Sequence, residues 1–168
     1  MKQEGKRSLT EARINSKPAT IAPSPRLFRL KDGSCVWDIL GAEPAGEEIP
    51  ARTADDQTRY KIHYAFVGGK RHHCVALQVE DRTEGPHDIE WLYVRSYTGG
   101  QIRFIKEGDA PEALLAMAED DAYMFCQNDP CIECAFACKV GFEFYAYSTS
   151  EGLIKDEAKI IYSRDRLK

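Results

Sequence analysis

Four cysteines within thirteen residues are the part of this chain best suited to chemistry: Cys126, Cys131, Cys134 and Cys138. Cysteines this close together favour a shared metal ion over separate disulfide bridges. Their spacing, C-x4-C-x2-C-x3-C, offers four thiolates, which make a complete tetrahedral set of ligands for a closed structural zinc site. An iron–sulfur cluster is a weaker alternative, because the spacing does not match that of a ferredoxin.

The local sequence predicts a helix for the last three of these cysteines. Asp129-Pro130 precedes Cys131, and proline is favoured at the first position of a helix. The unpaired N–H groups there lower the pKa of a thiol and favour the thiolate that binds metal. Gly141 is a helix-ending residue, so the predicted helix covers residues 131–140 and places three cysteines on one face.

The surrounding elements that must position the cysteines alternate between strand and helix patterns. Proline followed by Glu112 and a run of Ala, Leu and Met predicts a helix over 111–118. Alternating apolar residues, rich in β-branched and aromatic types, predict the strands. The predicted strands cover residues 60–67, 74–79, 89–97, 101–106, 122–126, 142–147 and 159–162.

The same residues resemble a known superfamily. Ala122-Tyr123-Met124-Phe125, then Asp129-Pro130-Cys131-Ile132-Glu133-Cys134-Ala135, then Gly141 and the Phe142–Tyr147 strand resemble the cytidine/deoxycytidylate/tRNA-adenosine deaminases. This resemblance implies an α/β fold in which a mixed β-sheet is flanked by helices. The deaminase-like part would cover about residues 89–168, preceded by a β-rich N-terminal extension.

The resemblance also implies an active site. Zinc would be held by Cys131 and Cys134, and Glu112 would be the catalytic residue that shuttles protons while a zinc-bound water attacks the base. Ala110 stands where the superfamily has a histidine ligand. Three interpretations stay open: Ala110 inactivates a true deaminase, Asp109 or Cys126 supplies the third ligand, or the chain is an inactive deaminase-like binding subunit.

Two functions follow as predictions. The first is a zinc-dependent deaminase-like protein acting on a cytosine- or adenine-type base, free or in nucleic acid, with an inactive form left open. The second is a non-enzymatic zinc-binding module, in which the four cysteines organise a surface for nucleic acid or protein. A metal that depends on Cys126 and Cys138 would favour the second function over the first.

Charge and composition predict the remaining organisation. Residues 1–31 contain eight Lys or Arg against two Glu, although the whole chain has a net charge of −4. We therefore predict a disordered basic arm over residues 1–25, which contacts nucleic acid or an acidic protein, and a single α/β domain over 26–168. No apolar stretch reaches bilayer length and no signal peptide is evident, so a cytoplasmic, non-membrane protein is expected.

The other residues of chemical interest have simpler interpretations. Cys35 and Cys74 lie among apolar residues and are expected to be buried free thiols. The four histidines are weak candidates for metal binding or base catalysis. Three aromatic residues could stack on a nucleobase, but their alternation favours a place in the core; these are Trp91, Tyr93 and Tyr97.

Overall fold

The elements that the structure defines are all β-strands. The structure is a computed structural model. The residues that it describes are 14–15, 22–53, 58–68, 73–118, 121, 131–132, 136–138, 141–158 and 161–163. Fifteen strands, β1 to β15, lie within these residues. The described residues contain no helix that is long and apolar enough to cross a membrane.

A five-stranded sheet forms the centre of the fold. Its order is β5-β14-β13-β8-β9, and its neighbouring strands are antiparallel except for β14 and β5. These strands are β5 (Arg52–Thr53), β8 (Ile89–Arg95), β9 (Gly100–Phe104), β13 (Glu143–Ser148) and β14 (Gly152–Glu157). Gly100 lies directly against the Tyr93 ring, where a side chain would collide with the phenol.

A three-stranded antiparallel sheet packs against one face of the five-stranded sheet. Its order is β10-β7-β6, with β6 at Tyr60–Val67, β7 at Cys74–Asp81 and β10 at Glu112–Ala116. Alternate residues of these strands point inward and meet the facing side chains of β8, β13 and β14. The largest buried core contains Ile62, Phe66, Val75, Leu77, Val79, Leu92, Val94, Leu115, Phe144, Ala146 and Ile154.

The opposite face of the five-stranded sheet is also covered. A small N-terminal sheet, ordered β3-β2-β4, consists of β2 (Arg26–Arg29), β3 (Cys35–Asp38) and β4 (Glu47–Ile49). Trp37 of β3 packs edge-on against Trp91, Tyr93 and Tyr145, with ring centroids 4.7–5.9 Å apart. Both faces of β8 and β13 are therefore buried, which explains why these strands are almost continuously apolar.

Two further pairs of short strands complete the described elements. β1 (Ile14–Asn15) pairs with β11 (Cys131–Ile132), and β12 (Phe136–Cys138) pairs with β15 (Ile161–Ser163), both antiparallel. Each pair joins one end of the chain to the segment between β10 and β13. We call that segment, residues 119–140, the cysteine-rich segment.

The predicted α/β fold is wrong. The sequence from Pro111 has the composition of a helix, but Glu112–Ala116 forms β10 and pairs with β7 along its whole length. Within β10, buried Leu115 alternates with exposed neighbours, which is a period of two. Helix propensity is a weak preference, and here the unpaired side of β7 and the apolar core beneath it favour a strand.

The predicted helix over residues 131–140 is also wrong, because residues 131–132 and 136–138 form strands β11 and β12. The predicted strands over 60–67, 74–79, 89–97, 101–106 and 142–147 are confirmed, with shifts of one or two residues at some ends. The strand predicted at 122–126 lies outside the described residues. The division into an arm and a single domain stays a prediction, with β1 lying inside the predicted arm.

Candidate metal centre at the cysteine-rich segment

The cysteine-rich segment holds all four predicted ligands. Cys131 begins β11, where it pairs with Asn15, and Cys138 ends β12, where it pairs with Ile161. Cys126 and Cys134 lie outside the described residues. The prediction that three cysteines share one face of a helix is wrong, because β11 and β12 are strands. The spacing of the four cysteines along the sequence is unaffected.

The start of the cysteine-rich segment is fixed to the turn between β8 and β9 by a buried carboxylate. Asp121 is 2% exposed. It accepts hydrogen bonds from Ser96 Oγ at 2.6 Å, Thr98 Oγ1 at 2.7 Å and the Thr98 backbone N–H at 3.0 Å. A carboxylate with three donors at this depth is held in a single place, so the chain enters the segment from a defined point.

The end of the segment is fixed at the same turn. Arg95, the last residue of β8, donates a hydrogen bond from Nη1 to the Gly141 carbonyl at 2.7 Å. Gly141 has a φ of +97° and packs against Tyr97, where a Cβ would lie 3.1 Å from the phenol oxygen. Positive φ and close packing both favour glycine. The two ends of the cysteine-rich segment therefore meet at one corner of the sandwich.

A buried charged cluster reinforces this corner. Glu143, 6% exposed, accepts hydrogen bonds from Lys155 Nζ at 2.8 Å, Ser24 Oγ at 2.8 Å and Tyr145 OH at 2.9 Å. Arg95 Nε lies 3.6 Å from the same carboxylate. Burial alone raises the pKa of Glu143, but the hydrogen bonds from Lys155 and Ser24 and the charge of Arg95 outweigh it, so the pKa lies below its ordinary value.

The incoming N-terminal chain is held by the same cluster. Arg95 Nε donates a hydrogen bond to the Ala22 carbonyl at 3.0 Å, and the Ala22 N–H donates to the Tyr97 carbonyl at 2.8 Å. Ser24 binds Glu143, as described above. The chain leading from the basic arm therefore reaches the sandwich beside both ends of the cysteine-rich segment.

Glu112, the predicted catalytic residue, lies elsewhere. It begins β10, at the end of that strand opposite to the one leading into the cysteine-rich segment, and its side chain is exposed. It lines an open groove of about 570 Å³ together with His63, Gln78, Arg103 and Leu114. Glu112 opens a strand rather than a helix, so the structure does not reproduce the helix-borne glutamate that the deaminase resemblance implies.

Two of the described histidines, His63 and His87, have ordinary structural partners. His63 Nε2 lies 2.6 Å from a Glu80 carboxylate oxygen on the adjacent strand, and His87 Nε2 lies 2.6 Å from the Asp109 carbonyl. His72 lies outside the described residues. Among the residues whose placement the structure describes, no three His, Cys, Asp or Glu side chains come together as a metal site.

Two other expectations have clear outcomes. Cys35 and Cys74 are free thiols, but Cys35 is exposed and Cys74 is half-buried, so the prediction that both are buried is wrong. Trp91, Tyr93 and Tyr97 are buried and belong to the two cores, which confirms the core interpretation over a base-stacking surface.

The residues that form the corner are ones that the sequence did not point to. Asp121, Arg95 and Glu143 are charged residues next to or within apolar stretches, and a charge in such a place must find a buried partner. A charge within or beside an apolar stretch is therefore the sequence feature that points to these three residues. It shows that each needs a buried partner, but it does not show which residue that partner is.

Comparisons with known proteins agree with the β-sandwich. The structure is similar to the crystal structure of the superoxide reductase from Treponema pallidum, with a TM-score of 0.52 and 18% sequence identity, covering 79% of this chain and 98% of that one. No family model matches the sequence. No curated protein matches it significantly. At this identity the likeness shows the fold alone.

This comparison overturns the deaminase resemblance and what followed from it. The neighbouring fold is a β-sandwich, whereas the deaminase fold requires helices against a mixed sheet. The predicted hydrolase activity on a nucleobase is therefore wrong. The zinc cofactor predicted for that deaminase site is wrong as well, because the described residues do not form the fold that would hold it.

Proposed function

We propose that this protein is a metal-binding module in which the four cysteines bind one iron ion, and in which that site holds the basic N-terminal arm and the C-terminal strand beside the sandwich. The observation that carries this proposal is the pairing of the cysteine-rich segment with both ends of the chain, through β1–β11 and β12–β15. The ligands are Cys126, Cys131, Cys134 and Cys138.

The size of these elements supports a metal. β1 and β11 are two residues long, and β12 and β15 are three residues long. Two-stranded sheets are marginally stable in water even at greater lengths, and small units of this kind are normally held together by disulfides or a metal. The spacing of the four thiols suits a metal, as their short separations suit shared tetrahedral coordination.

The choice of iron rests on chemistry and on the fold. Four thiolates bind either zinc or iron, so the ligands alone leave two candidates. The fold is similar to that of a superoxide reductase, and the reaction in that name needs a centre that exchanges electrons. Iron held by four thiolates supplies one-electron redox chemistry when bound. We therefore name iron as the metal.

The location and the partner belong to the same proposal. A cytoplasmic location keeps thiols reduced, and reduced thiols are what a thiolate site requires. The basic arm, with eight Lys or Arg against two Glu in residues 1–31, favours an acidic partner. Because β1 lies in this arm and pairs with β11, this strand of the arm runs beside the backbone of Cys131, one of the proposed ligands.

Metal analysis with cysteine variants tests the proposal. We expect about one iron per chain, by elemental analysis, in wild-type protein purified without oxygen, together with visible absorption from thiolate-to-iron charge transfer. Single substitutions of each of the four cysteines by serine should remove most of the iron. The exposed free thiol gives the matched control, and Cys35→Ser should keep the metal.

Two outcomes would overturn the proposal. Full iron content in the Cys126→Ser, Cys138→Ser double variant would show that these thiols are not ligands. Protein that contains no metal, or that selects zinc when both metals are supplied, would rule out an iron module. Limited trypsin digestion gives a second readout, since the arm should be cut faster after the four ligands are replaced than in the iron-loaded protein.

A further inference from the structure

Among the described residues, strand β10 is an edge of the three-stranded sheet. In the described part of the chain it pairs only with β7, so its other side has no strand beside it. Natural proteins guard such edges with a lysine, a proline or a bulge. Within β10, Glu112–Ala116, there is no lysine and no proline, and its pairing with β7 continues without a shift of register. Its one charge, Glu112, is the first residue of the strand, which leaves the centre of the edge uncharged.

The direction of the backbone groups follows from the ladder with β7. The Val79 N–H donates to the Pro111 carbonyl, and the Met117 N–H donates to the His73 carbonyl. Odd-numbered residues of β10 therefore direct their N–H and C=O groups toward β7, because hydrogen-bonding direction alternates along an antiparallel strand. The groups of Leu114 and Ala116 consequently point away from the sheet, along the free edge.

Apolar side chains accompany this free edge. Leu114 is 69% exposed, which is unusual for a leucine in the middle of a strand. It lines the groove of about 570 Å³, together with the small side chains of Ala65 and Ala76, which flank it on the same outer face. The edge thus offers both unpaired backbone groups and an exposed apolar residue at its centre.

We propose that two copies of this chain pair antiparallel through β10, with Leu114 of each copy opposite Leu114 of the other. In this register the Leu114 N–H and C=O of each copy bond those of its counterpart. The Ala116 N–H of each copy bonds the Glu112 carbonyl of the other. The result is a continuous six-stranded sheet across a two-fold axis, which is the symmetry of most homodimers.

Charge selects this register over its neighbours. A two-fold axis at Glu112 would place two carboxylates directly opposite each other, which is destabilising. An axis at Ala116 would shift the pairing beyond the end of the strand and leave Leu114 exposed. An axis at Leu114 places each Glu112 opposite the second copy's Ala116 and buries the two leucines against each other. This self-complementarity favours a second copy over an unrelated peptide.

The alternative edge of the sandwich is less suited to this pairing. Strand β9, the edge of the five-stranded sheet, also exposes apolar residues, Ile102 and Phe104. Its charge, Arg103, lies inside the strand, where it discourages edge pairing, whereas the charge of β10, Glu112, is the first residue of its strand. The proposal concerns the opposite sheet from the corner that holds the cysteine-rich segment. It is therefore independent of the metal site, and either proposal can fail without the other.

The first test measures mass in solution. Sedimentation equilibrium of the full chain, with reductant present to exclude disulfides, should show a concentration-dependent dimer. Leu114→Lys should weaken the dimer by about tenfold or more, because it removes the leucine contact and sets two like charges against each other. Leu40 is also highly exposed, at 83%, so Leu40→Lys is the matched control and should dimerise as the wild type does.

The second test traps the register. Opposed residues of a hydrogen-bonded antiparallel pair have Cα atoms about 5.5 Å apart, within the range of a disulfide. Leu114→Cys should form a covalent dimer rapidly on mild oxidation, and Leu40→Cys should not. A wild-type protein that stays monomeric at high micromolar concentration would overturn the proposal. So would a dimer that Leu114→Lys leaves unchanged while Leu114→Cys cross-links no faster than Leu40→Cys.

Discussion

The two ends of the sandwich hold their carboxylates in different ways. Glu143 begins β13 at the corner that receives the cysteine-rich segment, and its partners include the cations Lys155 and Arg95. Asp88 lies beside Ser148 at the other end of β13, and it accepts hydrogen bonds from hydroxyl and backbone groups. Glu143 neutralises two partly buried cations, whereas Asp88 is held by uncharged donors.

The difference reflects what each end must connect. At the Glu143 end, Arg95 reaches the Ala22 and Gly141 carbonyls as well as the carboxylate, so one guanidinium joins three separate parts of the chain. A guanidinium has five donors in a fixed plane, which suits such a junction. At the Asp88 end the carboxylate joins Tyr60 of β6 to the hairpin between β13 and β14, and hydroxyl and backbone donors are sufficient there.

The largest loss of stability is expected when Glu143, the carboxylate of the charged end, is removed. Glu143→Ala should lower the free energy of unfolding by about 4 kcal/mol, because it leaves Arg95 and Lys155 without their buried counter-charge. Urea unfolding followed by circular dichroism measures the change. Glu157 is the other carboxylate beside Lys155, and its side chain is half exposed. Glu157→Ala should therefore lower the free energy of unfolding by less than about 1 kcal/mol. Equal effects of the two variants would contradict the special role of this end.

The next effect concerns the anchor of the cysteine-rich segment. Asp121→Ala leaves the donors of Ser96 and Thr98 unsatisfied in a buried place and should cost about 3 kcal/mol. The same variant should be cleaved faster by protease within residues 119–140 than the wild type is. If cleavage there is unchanged, then Asp121 does not fix the entrance to the segment.

A smaller loss is expected at the hydroxyl end. Asp88→Ala should cost about 2 kcal/mol, since its partners lie nearer to solvent. Burial alone raises the pKa of Asp88, but hydrogen bonds from Ser150, Tyr60 and Ser148 outweigh it and hold the pKa below its ordinary value of 3.8. This stabilisation is complete above pH 3.8 and is lost as the pH falls through the lower folded value.

The loss of stability at low pH gives a direct test of the role of Asp88. Stability curves of the wild type and Asp88→Asn should converge as the pH is lowered below about 4, because protonation removes the same interaction as the substitution does. A constant difference between the two proteins from pH 7 to pH 2 would show that the carboxylate charge contributes nothing. Asn keeps the size of the side chain, so packing is matched between the two proteins.

The smallest effect is expected from Tyr60, the buried hydroxyl partner of Asp88. Tyr60→Phe should cost about 1 kcal/mol at neutral pH. Burial, followed by the hydrogen bond to Asp88, raises the pKa of Tyr60 to about 12 from an ordinary value of 10.0. The folded state therefore keeps a proton that the unfolded state releases, and stability should fall between pH 10 and about 12.

Alkaline unfolding checks this last expectation. In Tyr60→Phe, the free energy of unfolding should fall less steeply between pH 10 and about 12 than in the wild type. Phenolate absorbance at 295 nm should show one more late-titrating tyrosine in the wild type than in the variant. An unchanged slope would place the alkaline transition in other tyrosines. Tyr145 is the strongest of these, because burial and the charge of Glu143 also raise its pKa above the ordinary value.

Alternation was the most reliable sequence signal. Residues 60–67 and 74–79 alternate between buried, large apolar positions and more exposed positions, and both form strands over those residues. The near-continuous apolar run of 89–97 also predicts a strand, because it is rich in β-branched and aromatic residues. This run is apolar without interruption because both faces of its sheet are covered. Only the packing of the N-terminal sheet shows this second covered face.

The helix predictions failed for a physical reason. The residues of β10 favour a helix when considered alone, and Pro111 is a normal first residue of one. In the folded protein, β7 offers a row of backbone partners, and Leu115 enters the core only in the strand conformation. A local preference of a few tenths of a kcal/mol per residue is small beside a backbone ladder and a buried leucine.

The sequence by itself determined the strands of the sandwich core and the grouping of four thiols, because both depend on residues that are near each other along the chain. The tertiary structure decided that β10 and β11 are strands, that Asp121, Arg95 and Glu143 meet at one corner, and that Glu112 lies away from the cysteine-rich segment. Those outcomes depend on pairings between residues far apart in sequence. Local propensity has no access to such partners, and it is their hydrogen bonds and buried area that select the final fold.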